Sequence, residues 1–248
     1  MRKTDFICET DPDICETPKQ GLTQASGTTS TMPPTQNYDK VKNKKHGVEH
    51  RMGKWFPAIY DMAMKPLEEG TFKKIRSNLL RQATGRVLEI GAGTGINFPL
   101  YKIANRVDAI EPNPAMLEKA ASRKKQAQVP IYIHTQSAEN LAFDDNTFDT
   151  VVATLVFCTI PNPSKAFQEV QRVTKPGGTV LFFEHVKMKQ PFLAGLQEVL
   201  TPFWRTICDG CHLNRDTLHL ITEAGFQVIK VNSYYKGLFL VIECRIRE

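Results

Sequence analysis

Apolar and polar residues alternate along the chain in a pattern that predicts strands and helices in turn. Seven short segments have the length and the Val, Ile, Leu and Phe content of strands. They span residues 87–90, 107–111, 131–135, 148–156, 179–186, 226–235 and 238–246. Four segments between them show helical periodicity or helix-capping residues, namely one from about residue 96 and those at 114–126, 163–174 and 214–225.

This alternation predicts an α/β fold of the Rossmann-like type, a mostly parallel seven-stranded sheet with helices on both faces. Only a short turn at Lys236-Gly237 joins the last two strands, so these two must be antiparallel. We therefore expect one antiparallel strand at the C-terminal end of the sheet. Asn214 is expected to cap the last helix and Gly225 to end it.

Composition divides the chain into three parts. Residues 1–37 are rich in Thr, Asp, Pro, Gln and Ser and carry no periodic hydrophobic residues, which predicts a disordered tail. Residues 38–54 are basic, and we interpret them as a solvated leader, with weak attraction to an anionic membrane surface as the alternative. The globular pattern begins at Trp55, so residues 55–248 are predicted to form the folded domain.

Charge and cysteine content exclude several classes of protein. The net charge of +6 over 248 residues is mild and does not indicate a nucleic-acid partner. The N-terminal residues lack the apolar run of a signal peptide, and the longest apolar run, 151–158, is too short to span a bilayer. We therefore expect a cytoplasmic protein with no transmembrane segment, in which the six cysteines are reduced. The oligomeric state stays open.

The strongest chemical signal is a glycine-rich turn after the first predicted strand, VLEIGAGTG at residues 87–95. Glycine permits a tight turn and lets the backbone approach a ligand closely. The dinucleotide fingerprint G-x-G-x-x-G places its third glycine five residues after the first. Here Gly95 follows Gly91 by four residues, and residue 96 is Ile, which disfavours an NAD-dependent oxidoreductase.

Although the glycine spacing disfavours NAD, an acidic residue supports a cofactor that contains a nucleoside. Glu111 ends the second predicted strand, 20 residues after Gly91. A carboxylate at that place can accept two hydrogen bonds from a ribose diol. This spacing suits dinucleotides and other nucleoside cofactors alike.

The ordered motifs resemble those of the class I S-adenosylmethionine-dependent methyltransferases. The likeness runs over about residues 55–248 and rests on VLEIGAGTG (87–95), IEPN (110–113), QSAENLAF (136–143), FDTVVATLVFCTI (148–160) and EVQRVTKPGGTVLFFEHV (169–186). The resemblance implies S-adenosylmethionine as cofactor and a small, fairly apolar molecule as methyl acceptor. A non-catalytic module that binds the same cofactor is the alternative from another class.

The resemblance also implies the cofactor site. It implies that Glu89, Gly91 and Gly93 line the methionine end of the cofactor and that Glu111 holds the ribose hydroxyls. Ser137, Ala138 and Glu139 would contact the adenine, while Thr154 and Leu155 would lie beside the sulfonium. Further cofactor contacts are expected from Ala92, Gly95, Asn97, Pro112 and Met116.

Two subgroups of the class are most similar to this chain. The segments TLVFCTIPNP and CDGCHLNRDT resemble a methyltransferase-like group thought to alkylate thiols. Tyr60-Asp61 resembles an element found also in the ubiquinone/menaquinone C-methyltransferase and phosphatidylethanolamine N-methyltransferase group. A phospholipid or quinone-pathway methyltransferase is therefore kept as an alternative.

His185 and Tyr60 are the candidate catalytic residues. His185 follows the fifth strand, at the carboxyl edge where open α/β sheets place their ligands, and could act as a general base. The sequence offers no compelling catalytic pair, which favours an easily ionised acceptor such as a thiol, a phenol or a quinol. A thiol with a pKa of about 8.5 needs little help from a base.

Cysteine and aromatic residues leave further possibilities open. Cys208-x-x-Cys211-His212 matches the haem attachment pattern, but haem attachment needs an exported protein. Zinc would need two further ligands, and His219 is the only other histidine nearby in sequence, so no metal site is expected. We interpret this segment as a loop near the substrate mouth, and Cys158 as a small buried hydrophobe. Four aromatic residues could line an acceptor pocket or belong to the core: Phe157, Phe192, Phe203 and Trp204.

Overall fold

Seven strands form one sheet in the computed structural model, which describes residues 68–208 and 210–248. The strands are β1 (Gly85–Ile90), β2 (Ala104–Ile110), β3 (Ile131–His134), β4 (Phe148–Thr154), β5 (Thr174–His185), β6 (Gln227–Tyr234) and β7 (Phe239–Arg245). Their order across the sheet is β3-β2-β1-β4-β5-β7-β6. Only β7 runs against its neighbours, pairing antiparallel with β5 and β6. The predicted fold class is confirmed.

In the described part of the chain, one helix precedes β1, and the other four lie in connections between strands. They are α1 (Lys73–Leu80), which follows a π-helical turn at Glu68–Phe72, then α2 (Pro114–Lys124), α3 (Pro163–Val173), α4 (Pro191–Ile207) and α5 (Thr217–Glu223). Proline opens α2, α3 and α4, at the position where its missing N–H costs nothing. The Asn113 and Asn162 side chains cap α2 and α3 by accepting backbone N–H hydrogen bonds.

The helix predicted from about Ile96 does not form. The chain there makes successive turns and a short 3₁₀-helix, Phe98–Leu100. Pro99 lies within it and has no N–H to donate, and Tyr101 turns back to an extended conformation. This irregular connection places Asn97 and Tyr101 within hydrogen-bonding distance of Glu89 on β1.

Two further details differ from the sequence-based expectation. Asp216, not Asn214, caps α5, because its carboxylate accepts the N–H of His219 at 3.0 Å. Asn214 instead donates to Glu198 on α4. Helix α4 itself was not predicted, since Pro202 inside it interrupts the sequence pattern.

Apolar side chains fill both faces of the sheet, and the aromatic residues divide between core and surface. Phe157 is fully buried and stacks on Phe167 with ring centroids 4.3 Å apart, so it belongs to the core. Phe192, Phe203 and Trp204 lie on α4 with much of their surface exposed.

Several sequence-based predictions fall outside the described residues. They are the disordered tail over 1–37, the basic leader over 38–54, the start of the domain at residue 55, and Tyr60. Within 68–208 and 210–248, no helix is long and apolar enough to cross a bilayer.

Candidate active site

The predicted functional residues gather at one edge of the sheet. Strands β2, β1, β4 and β5 are adjacent and parallel, so their carboxyl ends meet there. The glycine-rich turn follows β1, Glu111 follows β2 and Leu155 follows β4, while His185 ends β5. Open α/β sheets bind their ligands in the crevice at this edge.

The three glycines of the turn have positive φ angles of 63°, 54° and 75°, but different surroundings. A Cβ on Gly91 would lie 2.2 Å from Cγ2 of Val156, and one on Gly95 would lie 2.7 Å from the Phe98 ring. A Cβ on Gly93 would meet no atom within 4 Å. Gly91 and Gly95 therefore permit close packing, whereas Gly93 faces open space that a ligand can approach.

The Glu111 carboxylate is fixed beside this turn by backbone donors. Oε2 accepts the N–H of Gly93 at 3.0 Å, and Oε1 accepts the N–H of Asn113 at 2.9 Å. The residue is 8% exposed. Of the predicted contacts that follow, Pro112 is exposed and Met116 is buried in the first turns of α2. The carboxylate thus has a defined position at the end of β2.

A buried polar network lies behind the glycine turn. Glu89 accepts hydrogen bonds from Asn97 Nδ2 at 2.9 Å and from the Tyr101 hydroxyl at 3.0 Å. Arg76 Nη1 donates to Thr154 Oγ1 at 2.6 Å and to Asn97 Oδ1 at 3.2 Å, and Asn97 Nδ2 also donates to Thr154 Oγ1 at 3.0 Å. The network ties β1 and β4 to α1.

Burial governs the charge of this network. It raises the pKa of Glu89 to about 7, against the hydrogen bonds from Asn97 and Tyr101 and the charge of Arg76. Arg76 and Tyr101 were not predicted from the sequence. For Arg76 a signal exists, because it lies on the same helical stripe as the buried Leu79 and Leu80 of α1.

The turn after β3 carries the three residues expected at the adenine. Ser137 Oγ accepts the N–H of Glu139 at 3.3 Å, which closes the turn. Glu139 Oε1 accepts the N–H of Asn162 at 2.5 Å and so links the turn to the start of α3. Ala138, between them, is buried. Ala92, in the glycine turn, is also buried, and its N–H donates to Ile110 O at 2.9 Å.

The backbone at the end of β4 is strained, and the residues that follow it are hydrogen-bonded to a buried glutamate. Leu155 has a φ of +54°, which is uncommon for any residue other than glycine, and its N–H donates to Phe183 O at 2.7 Å. The next two N–H groups, of Val156 and Phe157, donate to Glu184 Oε1 at 3.0 and 3.1 Å. Burial raises the pKa of Glu184 to about 7, and its Oε2 has no hydrogen-bond partner among the described residues.

His185 is paired with a cysteine at the end of β5. Its Nε2 lies 3.1 Å from Cys211 Sγ, and Cys158 hydrogen-bonds to the same sulfur. The hydrogen bond from Cys158 and the charge of His185 lower the pKa of Cys211 against the effect of burial, while the hydrogen bond with Cys211 raises the pKa of His185 although burial opposes it. His185 Nδ1 is buried and has no partner among the described residues.

The loop after α4 is anchored to this edge. The His212 N–H donates to Cys158 O at 2.9 Å, and Arg215 donates to Ile160 O at 2.7 Å and to Phe157 O. The sequence indicated that Cys158 and His185 would lie close together, because Cys158 follows β4 and His185 ends the adjacent parallel strand β5. What the sequence could not supply is the path of the loop that brings Cys211 to them.

The residues at this edge fit a nucleoside cofactor. The open side of Gly93 gives a ligand access to the backbone, and the carboxylate of Glu111 is held directly beside it. The structure brings the glycine turn, Glu111, Thr154, Leu155 and His185 to this edge, with Glu89 and Asn97 in the network behind it. Tyr60 lies outside the described residues.

Comparison with known proteins identifies the family to which this chain belongs. A methyltransferase domain family matches residues 88–182. The thiol S-methyltransferase TMT1B of Rattus norvegicus is 35% identical over 198 residues, which cover 73% of this chain and 81% of the rat protein. Phosphatidylethanolamine N-methyltransferase of Cereibacter sphaeroides is 32% identical over 152 residues, covering 60% of this chain and 74% of that protein.

Solved structures agree on the fold. A Thermotoga maritima protein described as an S-adenosylmethionine-dependent methyltransferase superposes with a TM-score of 0.58 at 21% identity. The superposition covers 80% of this chain and 100% of that one. Fold, cofactor edge and sequence relatives lead to one conclusion: the chain is an S-adenosylmethionine-dependent methyltransferase and belongs to the family that includes the thiol S-methyltransferases.

Proposed function

We propose that this methyltransferase transfers the methyl group of S-adenosylmethionine to the sulfur of a small, fairly apolar thiol. The thiol S-methyltransferase from rat, which matches over most of its own length, supports this acceptor. The cluster of Cys158, His185 and Cys211 at the end of β5 also supports a thiol acceptor, because His185 is paired with Cys211 there.

The cofactor is proposed to lie along the ends of β1, β2 and β4. Glu111 would accept the ribose hydroxyls, and Gly93 would let the backbone approach the ligand. The turn of Ser137, Ala138 and Glu139 would hold the adenine. Both oxygens of Glu89 already accept hydrogen bonds, from Asn97 and from Tyr101. Glu89 would therefore act at the methionine end indirectly, by holding Asn97 in position. Ala92, Gly95, Pro112 and Met116 complete the proposed cofactor site.

When bound, S-adenosylmethionine supplies a methyl group on a sulfonium, which is an activated leaving group for in-line attack. The chain then has to align the acceptor and exclude water, and orientation can be worth roughly 7–11 kcal/mol. Thr154 and Leu155 are the residues proposed to lie beside the reacting centre. The backbone of Leu155 is fixed there by its hydrogen bond to Phe183.

The observation that carries the thiol assignment is the pairing of His185 with Cys211. Because Nε2 of His185 is engaged by Cys211 at 3.1 Å and Nδ1 is buried, neither ring nitrogen is open to a weakly acidic acceptor. Glu184 is likewise engaged by two backbone N–H groups. A thiol, whose pKa is about 8.5, ionises with little help and suits such a site.

A phospholipid acceptor is the second candidate, and one surface favours it. Helix α4 exposes Phe192, Val199 and Phe203, a row of large apolar side chains suited to a lipid surface. The phosphatidylethanolamine N-methyltransferase of Cereibacter sphaeroides is also a relative at 32% identity.

A transfer assay with methyl-labelled S-adenosylmethionine tests the proposal. Small alkyl and aryl thiols, quinols, amines and phosphatidylethanolamine vesicles are offered separately, with Glu111→Ala as the control for cofactor-dependent transfer. We expect label in the thiols and little in the others. Label confined to phosphatidylethanolamine would replace the proposal by the second candidate. Binding of S-adenosylhomocysteine without transfer to any acceptor would favour a non-catalytic binding module.

A further inference from the structure

Three metal-ligand side chains from three separate segments converge at the end of β5. Cys158 lies four residues beyond the last residue of β4, His185 ends β5, and Cys211 lies in the loop after α4. Their ligand atoms all lie within 4.8 Å of one another. Both cysteines are buried, at 2% and 8% exposure. Cys158 and His185 are far from Cys211 in sequence, so the pattern around Cys211 did not reveal them.

The ligand atoms lie near enough to one another for a metal ion to gather them into a tetrahedral site, since all are within 4.8 Å. With Zn–S bonds of about 2.3 Å and a Zn–N bond of about 2.0 Å, tetrahedral ligands lie roughly 3.5–3.8 Å apart. Nε2 of His185 and Sγ of Cys211 are 3.1 Å apart, so they need to separate by only a few tenths of an ångström. Two sulfurs and an imidazole form a donor set that suits zinc rather than magnesium or calcium.

The surroundings of the cluster favour a cation. Glu184 is fully buried next to it, and its Oε2 has no hydrogen-bond partner among the described residues. A positive ion nearby would compensate this buried polar atom.

The ligands are also held in place before any ion binds. The His212 N–H and the Arg215 guanidinium attach the loop of Cys211 to the backbone carbonyls of Cys158 and Ile160. His185 is fixed as the last paired residue of β5, opposite Phe239 of β7. Little ordering therefore remains for the binding step.

We propose that Cys158, His185 and Cys211 form a three-ligand Zn²⁺ site whose fourth coordination position takes the acceptor thiol. Among the described residues, no fourth His, Cys, Asp or Glu joins the cluster. Three protein ligands with one exchangeable position are typical of catalytic zinc. The acceptor role rests on the proposed thiol specificity, and the site lies at the edge where Leu155 is proposed to meet the methyl donor.

Such a site would activate the acceptor without a protein base. The thiol sulfur forms a bond to the ion, and its proton is released to solvent, because a coordinated thiol is deprotonated. The coordinated sulfur then keeps a lone pair for attack on the methyl group. This accounts for a site in which His185 is engaged rather than free.

Metal binding is tested on the full chain with Zn²⁺ and with Co²⁺, whose thiolate charge-transfer band reports bound sulfur. After gel filtration we expect about one ion per chain and a clear charge-transfer band. Cys158→Ser, Cys211→Ser and His185→Gln should each weaken Co²⁺ binding by at least ~10-fold. Cys244→Ser, in a buried cysteine of β7, and His219→Gln, on the exposed side of α5, are the matched controls.

Five outcomes decide the proposal. No retained ion, or equal retention in wild type and Cys211→Ser, would overturn the site. Loss of the band in Cys208→Ser would mean a closed four-ligand site and would overturn the acceptor position. A shift of the visible Co²⁺ bands on adding 2-mercaptoethanol would support that position, and unchanged bands with metal retained would overturn it. These spectra do not depend on turnover, so failure of the labelled-thiol assay alone would contradict the proposed function and not the metal site.

Discussion

The N–H of Gly93 donates a 3.0 Å hydrogen bond to Oε2 of Glu111, and this bond joins the turn after β1 to the end of β2. The same carboxylate accepts the N–H of Asn113 through its other oxygen. An acid that is held by two backbone donors has a fixed position and orientation. The proposed ribose contact therefore depends on the turn and on the acid together.

Replacing Glu111 by Ala tests this contact directly. The affinity for S-adenosylhomocysteine, measured by calorimetry, should fall by ~1.5–3 kcal/mol, the usual contribution of hydrogen bonds to a charged group. Glu118→Ala, an exposed glutamate on α2, is the matched control and should leave the affinity unchanged. Equal affinities for wild type and Glu111→Ala would show that the ribose assignment is wrong.

Two glycines of the turn should respond differently to the same substitution. Gly91→Ala combines a positive φ with a Cβ 2.2 Å from Val156, so we expect a loss of unfolding free energy of ~2–5 kcal/mol. Gly93→Ala carries only the positive φ, so its loss should be ~1–2 kcal/mol. Urea denaturation measures both.

Ligand binding separates the two variants further. The Cβ of Gly93→Ala would project into the space proposed for the cofactor, so its affinity for S-adenosylhomocysteine should fall at least ~10-fold while the protein stays folded. Wild-type affinity in this variant would mean that the cofactor does not approach Gly93.

The sequence predicted the fold and the cofactor edge because both depend on local patterns. A strand, a turn with positive φ and an acid at the next strand end follow one another in the chain, and Gly91 and Glu111 were found on that basis. Of the buried network, Asn97 and Thr154 were predicted, but Arg76 and Tyr101 were not. Arg76 meets Thr154, 78 positions later, through helix packing that no local pattern encodes. The cysteine cluster depends in the same way on the loop that carries Cys211 to the end of β5.

The helix predicted after Ile96 shows the same limit in local structure. Pro99 and the buried hydrogen bonds of Asn97 and Tyr101 to Glu89 stabilise an irregular connection instead. These contacts cross from one element to another, so helical propensity alone could not reveal them.

The buried carboxyl group of Glu89 should make stability depend on pH. Its pKa is raised to about 7 in the folded protein, so the folded state holds a proton that the unfolded chain releases above about pH 4.5. Unfolding free energy should therefore fall as pH rises from about 4.5 to 7, by up to about 3 kcal/mol. Chemical denaturation at intervals of pH measures this slope.

Glu89→Gln should remove the part of that dependence that Glu89 causes and leave the part due to Glu184, whose pKa burial also raises to about 7. Glutamine resembles the neutral carboxyl group, so the variant's stability should be flatter over this range, with the exposed Glu118→Gln as control. Parallel pH profiles for wild type and Glu89→Gln would show that Glu89 is ionised throughout.

Asp108 should have the opposite dependence. Its carboxylate accepts hydrogen bonds from Arg86 at 2.9 Å and Arg106 at 2.6 Å, and lies 2.9 Å from His134 Nε2. These partners lower the pKa of Asp108 to about 2 although burial opposes them. Because the folded pKa is depressed, the stabilisation is fully present above about pH 4 and is lost as pH falls from about 4 to 2.

Asp108→Asn should therefore lower the unfolding free energy near pH 7 by ~1–2 kcal/mol, a value limited by solvent screening of the two partly exposed arginines. The difference between wild type and variant should shrink below pH 4, as denaturant titrations at each pH can show. Asp145→Asn removes the exposed partner of Arg172 and should cost less than ~1 kcal/mol. If the gap between wild type and Asp108→Asn stayed constant down to pH 2, the three partners would not be responsible for the stabilisation, because only a depressed carboxyl pKa makes the gap close on that side.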